Sequence, residues 1–145
     1  MLKGWKSMRV LIDTNIILDV LLKRFPFYEE AIEVLKLSAR EDIQEFVSAS
    51  AITDIYYIAY KNVRDKVVVR ELLKKLLLIV SVAGVSEEEI QKALELGWKD
   101  FEDSVQYSVA LLSEMDGVIT RNVKDYLLSE IQIWEPNQFL ERVNS

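Results

Sequence analysis

Val10-Leu11-Ile12 is a short unbroken apolar run that ends on Asp13-Thr14-Asn15, and helical apolar spacing begins at once from Ile16. Such a run suits a parallel strand buried on both faces, and the spacing after it suits a helix packed on that strand. Asp13 therefore stands where a strand ends. In an open α/β sheet ligands bind outside the carboxyl ends of the strands, so a carboxylate there is placed for chemistry. The same three residues also suit a plain helix start, with Thr14 or Asn15 as the capping side chain.

The strand-then-helix pattern recurs. Residues 9–12 lead into a helix over about 15–23; Phe25-Pro26-Phe27 breaks it, and Pro26 suits the opening of a second helix that runs to about 39. Residues 45–48 read as the next strand and 51–60 as a helix with the stripe Ile52, Ile55, Tyr56, Ala59. Asp54 lies off that stripe, in the helix's first turn. A basic amphipathic helix over 65–77 delivers a third apolar run, 78–82. Ser86 and Glu89 form a capping box opening a helix that Gly97 ends, and Asp100 opens another that continues to about 114. Residues 117–120 and 131–134 are the fourth and fifth strands, with a short helix near Tyr126 between them and a last helix from Pro136. Strands separated by helices of this length predict an α/β fold: one domain with a central parallel sheet of about five strands and helices on both faces. Residues 1–7 lack the apolar centre of a signal peptide and read as a poorly ordered leader, with the domain over 8–145.

The chain contains no cysteine and no histidine. That removes disulfides, thiol nucleophiles and imidazole acid-base chemistry, and it leaves carboxylates, lysines, tyrosines and hydroxyls. A site of carboxylates prefers hard cations such as Mg²⁺ or Mn²⁺. No apolar stretch reaches the ~20 residues of a membrane span, because Lys74-Lys75 interrupts the richest region; a soluble, cytoplasmic protein is expected. The formal net charge of −6 argues against a simple polyanion binder, yet the charge is unevenly spread. Residues 61–75 carry a local excess of basic groups and 84–116 a local excess of acids. Such a chain can still hold nucleic acid if its acids are metallated and one rim is basic.

Asp13, Asp54, Asn122 and Asp125 all fall in connections leaving the same edge of a parallel sheet, which lets residues distant in sequence meet in one cleft. Asp103 lies in the first turn of a helix that no strand directly precedes. First-turn acids also simply favour the helix dipole, and Asp100 with Asp103 fits an N-cap and its third-position partner. Asp100 and Glu102 read as solvated, Asp19, Asp65 and residues 87–89 as surface, and Tyr56, Tyr57 and Tyr60 as packing in or beside the core.

Four blocks, Leu11-Ile12-Asp13-Thr14-Asn15, Ser48-Ala49-Ser50-Ala51-Ile52-Thr53-Asp54, Asp100-Phe101-Glu102-Asp103-Ser104-Val105-Gln106-Tyr107 and Ile119-Thr120-Arg121-Asn122-Val123-Lys124-Asp125-Tyr126, resemble in order the signature of the PIN-domain family. The match is nearest to its VapC-like ribonuclease toxins. The resemblance implies a metal-dependent endoribonuclease, the toxin of a toxin-antitoxin pair, whose acidic quartet binds Mg²⁺ or Mn²⁺. Asp13 and Asp103 match the first and third acids. Asp54 stands where the family commonly has Glu, and Asn122 where many relatives have Asp, with Asp125 a substitute ligand. Asn15 and Thr120 take supporting roles toward the carboxylates, Arg121 and Lys124 contact RNA phosphates, and a homodimer and a small antitoxin protein are the implied partners. The two departures also motivate an alternative, a catalytically weakened PIN-like RNA-binding or assembly module. A phosphohydrolase with Asp13 as nucleophile ranks last, because Asn15 cannot act as its general acid. Electrostatics favours a cation independently: two carboxylates about 4 Å apart repel by roughly 4 kcal/mol at an effective dielectric near 20.

Overall fold

Among the described residues five short strands pair in parallel in the order β3-β2-β1-β4-β5, which puts β1 at the sheet's centre. The computed structural model describes residues 7–126 and 128–145; the expected leader, apart from Ser7, lies outside the described residues. In chain order the elements are β1 (Met8–Ile12), α1 (Thr14–Leu21), α2 (Tyr28–Lys36), β2 (Ile43–Ser48), α3 (Ala49–Val63), α4 (Lys66–Leu76), β3 (Ser81–Ala83), α5 (Glu87–Leu96), α6 (Phe101–Leu112), β4 (Gly117–Ile119), β5 (Gln132–Trp134) and α7 (Pro136–Asn144). Single 3₁₀ turns cover Leu37–Ala39 and Val123–Tyr126. Among the described residues no helix is long and apolar enough to cross a membrane.

Helices cover both faces of the sheet, so the β1 run is sealed from water as its unbroken apolar character predicts. Val10 and Ile12 pack on one side with Ile16 and Ile17 of α1, Val34 of α2, Ile55 of α3 and Phe139 of α7. Leu11 points the other way, against Ala93 of α5 and Val105, Tyr107 and Val109 of α6. The chain leaves β1 through α1 and α2 to reach β2 and β3, then crosses by α5 and α6 to β4 on the opposite flank of β1. The strand order therefore reverses between β1 and β4, and the crevice at their carboxyl ends is where such a sheet binds ligands.

Helix ends follow the expected chemistry with shifts of a few residues. The Ser86 amide donates to the Glu89 carboxylate at 2.8 Å, Gly97 closes α5 at a φ of 64°, and Pro136 occupies the first position of α7. Ser48 caps α3, its hydroxyl accepting from the Ser50 amide at 3.2 Å, so this helix begins two residues before the expected start. Asp54 thus lies in the second turn rather than the first. Pro26 stays outside α2, which begins at Tyr28, and α1 starts on Asp13 as its cap position rather than on Thr14 or Asn15. The third apolar run is only partly a strand. The amides of Leu78, Ile79 and Val80 bond back to Lys75 and Leu76 and close α4 as a turn, leaving Leu78 84% exposed, and pairing with β2 starts at Ser81. Tyr57, expected beside the core, is exposed, whereas Asp19, expected at the surface, is completely buried.

Two residues couple this packing to measurable stability. Gly117 pairs with Gln132, and an added Cβ there would collide with the Gln132 carbonyl and the Trp134 ring. Gly117→Ala is expected to cost about 1–3 kcal/mol in urea unfolding. Glu45 on β2 faces the same side as Ile43 and Val47, is 3% exposed, and neither carboxyl oxygen has a hydrogen-bond partner among the described residues. Burial alone pushes its pKa up to about 8. The folded protein then keeps a proton that the unfolded chain releases near its ordinary value, so stability falls as pH rises from about 4.5 to 8. The slope from this group reaches at most about 1.4 kcal/mol per pH unit, and Glu45→Gln is expected to remove it from pH-dependent unfolding curves.

Candidate functional site

Asp13 follows the last residue of β1, and its amide continues the sheet by donating to the Ile119 carbonyl of β4 at 3.0 Å. That contact aims the side chain at the crevice between β1 and β4. The carboxylate does not cap α1. Thr120, the residue after β4, donates its hydroxyl to Oδ2 at 2.7 Å, and Gln106 in the second turn of α6 donates its amide to Oδ1 at 3.0 Å. Thr120 is held in turn by its own amide on the Trp134 carbonyl and by the Asn122 amide donating to its hydroxyl. Asp13 is only 4% exposed, so both hydrogen bonds act in a poorly solvated setting where they orient the carboxylate firmly.

A cleft of about 320 Å³ opens over this carboxylate, lined by Thr14 and Asn15 of α1, Asp54 and Ile58 of α3, and Asp100, Glu102, Asp103 and Gln106 at the start of α6. Asp100 caps α6 by accepting from the Asp103 amide at 3.0 Å, which fixes the first turn and brings Glu102 and Asp103 to the rim. Desolvation, then the charges of Asp13, Asp100 and Asp125, raise the Asp103 pKa to about 7. Desolvation, then the Asp54 carboxyl beside it, raise Glu102 to about 7. The buried Tyr126 phenol faces Asp103 closely enough to favour its ionised form, although among the described residues it has no partner in hydrogen-bond geometry. Its own pKa is pushed well up by burial and by Asp13 and Asp103.

The structure thus brings Asp13, Asn15, Asp54 and Asp103 to one cleft and buries Thr120 against the first of them. Asn15 lines the cleft, but its side chain makes no hydrogen bond among the described residues. Asn122 and Asp125 do not line the cleft; Asp125 belongs to the hollow next to it, and Asn122 contributes its amide to Thr120. Arg121, expected on an RNA phosphate, is half-buried and paired within the protein. Its guanidinium donates to Asp19 at 2.7 and 3.2 Å and lies 3.9 Å from the centroid of the Phe27 ring, while Arg24 donates to the same carboxylate at 2.9 Å. This fork ties the loop after β4 to α1. Lys124 remains exposed, and Lys61, Arg64, Lys66, Arg70, Lys74 and Lys75 form a solvated face on α3 and α4.

Gln106 and Glu102 were not foreseen as cleft residues, nor Tyr126 as the buried neighbour of Asp103. Gln106 stands three residues after Asp103, a spacing that puts both on one helix face. Among the described residues no group of three or more acidic side chains is already spaced to hold a metal ion. The donor chemistry nevertheless suits a hard cation, because carboxylates from three elements share the cleft and two of them are raised to about 7 there. Thr14 and Gln106 also line it, and their buried Oγ1 and Oε1 atoms have no hydrogen-bond partner among the described residues.

These features define an α/β protein with an acidic cleft at the switch point of a parallel sheet. Residues 9–124 match the model of the PIN domain, and the chain belongs to that family. It is similar to Ribonuclease VapC1 of Aquifex aeolicus (strain VF5), 26% identical over 96% of this chain and 98% of that protein. The fold is also that of VapBC-1 from nontypeable Haemophilus influenzae (TM-score 0.70, 16% identity, 90% of this chain and 99% of that one) and of a toxin-antitoxin complex from Klebsiella pneumoniae (TM-score 0.66, 21% identity, 88% and 97%).

The fork on Asp19 yields a direct test. Arg121→Ala removes two charge-assisted hydrogen bonds from a carboxylate with no access to water, and is expected to cost roughly 1.5–3 kcal/mol in denaturant unfolding. Arg121→Lys keeps the charge but loses the fork and the stacked plane, and should recover only part of that.

Proposed function

We propose that this chain is a divalent-metal-dependent endoribonuclease of the VapC kind, the toxin of a toxin-antitoxin pair. The observation that carries the reading is the Asp13 carboxylate, buried and gripped by Thr120 and Gln106, opposite an Asp103 whose ionisation is suppressed by its surroundings. Family membership and likeness to Ribonuclease VapC1 support it. Likeness to toxin-antitoxin structures supports a small antitoxin protein as partner, and likeness to Ribonuclease VapC1 supports RNA as substrate; a second copy of the chain as a homodimer partner is part of the proposal.

In this reading Asp13 and Asp103, with Asp54 and Glu102 at the rim, hold Mg²⁺ or Mn²⁺. When bound, such an ion neutralises charge on the phosphodiester and makes water a competent nucleophile near neutral pH, a role no histidine can take here. Thr120 and Gln106 keep the Asp13 oxygens aimed into the cleft. The buried wall behind Asp13 limits solvent access from the protein side.

RNA incubated with Mn²⁺ should be cut to products with 5′-phosphate and 3′-hydroxyl ends, and Asp13→Asn should abolish the cutting; 2′,3′-cyclic phosphate ends would reject the mechanism. Thr120→Val should lower metal affinity or turnover about 10- to 100-fold while the protein stays folded. Because Asp103 and Glu102 hold protons up to about pH 7, protons compete with the cation below that pH. Mn²⁺ should therefore raise the melting temperature clearly at pH 8 and little at pH 5, and an equal rise at both would contradict the site.

A second reading, a weakened RNA-binding or assembly module, draws on Asp54 and Asn122 departing from the family's usual acids, Asn122 also lying outside the cleft lining. RNA binding without cleavage, indifferent to chelators, would select it.

A further inference from the structure

Asp100 lines the acidic cleft and also a neighbouring hollow of about 490 Å³ formed with Trp98, Lys99, Lys124 and Asp125. This hollow continues into a more apolar recess of about 350 Å³, to which Leu96, Gly97 and Leu128 add their surfaces. We propose that it is a subsite for one unpaired nucleobase of the RNA, with the adjoining phosphates met by Lys99 and Lys124. The inference rests on the ribonuclease reading and extends it to how the chain of the substrate runs.

Its wall is built rather than incidental. Gly97 ends α5 in the left-handed region and Asp100 opens α6, so Trp98 and Lys99 occupy a short connection anchored at both ends. The Trp98 ring is half-buried, packed on Tyr107 with centroids 4.7 Å apart and set edge-on to Tyr126 at 5.8 Å. Tyr107 is fixed in turn, its hydroxyl accepting from the Glu130 amide at 2.8 Å. An indole immobilised in this way presents an aromatic surface at little entropic cost, and stacking on an aromatic ring is how single-stranded nucleic acid is commonly held. Facing it, Leu128 is 76% exposed and contributes only apolar surface.

Charge points to the same occupant. The acidic cleft repels a polyphosphate before a cation is bound, and Arg121 is committed to Asp19. Lys99 and Lys124 make no ion pair among the described residues, and both line the hollow. Two lysines flanking an aromatic wall suit a base with a phosphate on either side, and the nearby Asp125 carboxylate can accept a hydrogen bond from the base's edge. Since Asp100 belongs to both spaces, the base so held neighbours the phosphodiester over Asp13.

The test uses the full chain in EDTA, which separates binding from cleavage, with a mixed-sequence single-stranded ten-nucleotide RNA as probe. Titration should quench tryptophan emission, the quench should vanish in Trp98→Phe, and the same RNA as a duplex, whose bases are already stacked, should give none. Leu128→Glu and Lys99→Glu with Lys124→Glu should each weaken binding at least about tenfold with the melting temperature unchanged. If the wild type binds and cleaves RNA but these variants bind within twofold of it, or duplex quenches equally, the subsite is overturned and the nuclease stands. If the wild type neither binds nor cleaves RNA, both readings fall together.

Discussion

One carboxylate, that of Asp13, is fixed from both sides at the end of the central strand, and the rest of the site depends on how its charge is accommodated. Hydrogen bonds to a charged group contribute about 1.5–3 kcal/mol each, so Thr120 and Gln106 offset part of the cost of burying it. They do nothing for the repulsion between Asp13 and the acids across the cleft. Desolvation first, and then the neighbouring carboxylates, Asp13 among them for Asp103 and Asp54 for Glu102, raise the pKa values of these two acids to about 7. A cleft arranged in this way carries less negative charge at neutral pH than its count of carboxyl groups suggests.

Topology explains why these groups meet. With β1 flanked by β2 on one side and β4 on the other, the connections after β1 and β4 leave the same edge side by side. Thr120 reaches Asp13 because β4 pairs directly with β1, Ile119 opposite Ile12. The second coupling is more distant: Arg121 on Asp19 and Phe27 anchors the loop after β4 to α1 and to the segment before α2. The residue beside Thr120 thus serves a structural ion pair.

The sheet and the first acid were legible in the chain because a strand sealed on both faces has an unmistakable apolar run, and Asp13 interrupts it at the end. Asp103 was legible as the third-position partner of Asp100. Other features depended on neighbours no local pattern contains. Asp19 is buried only because Arg24 and Arg121 converge on it. Gln106 sits in a stretch of α6 buried from Ser104 to Ala110, where an amide is explained only by the carboxylate it serves. The run over 78–82 looked like a buried strand, but apolar content without covering layers does not distinguish a core strand from a turn leading to a sheet edge. Asp54 shifted from first to second turn because Ser48, which also ends β2, caps the helix earlier than its apolar stripe suggests.

The central claim is that side chains from the ends of β1, α3 and α6 share one cation at the rim of the sheet. Anomalous diffraction from a crystal soaked in Mn²⁺ near pH 8 tests it most directly. The account predicts a peak contacting the carboxylates of both Asp13 and Asp103, lost in Asp13→Asn. An empty cleft at saturating Mn²⁺, or an ion bound elsewhere with those two carboxylates turned apart, would contradict it.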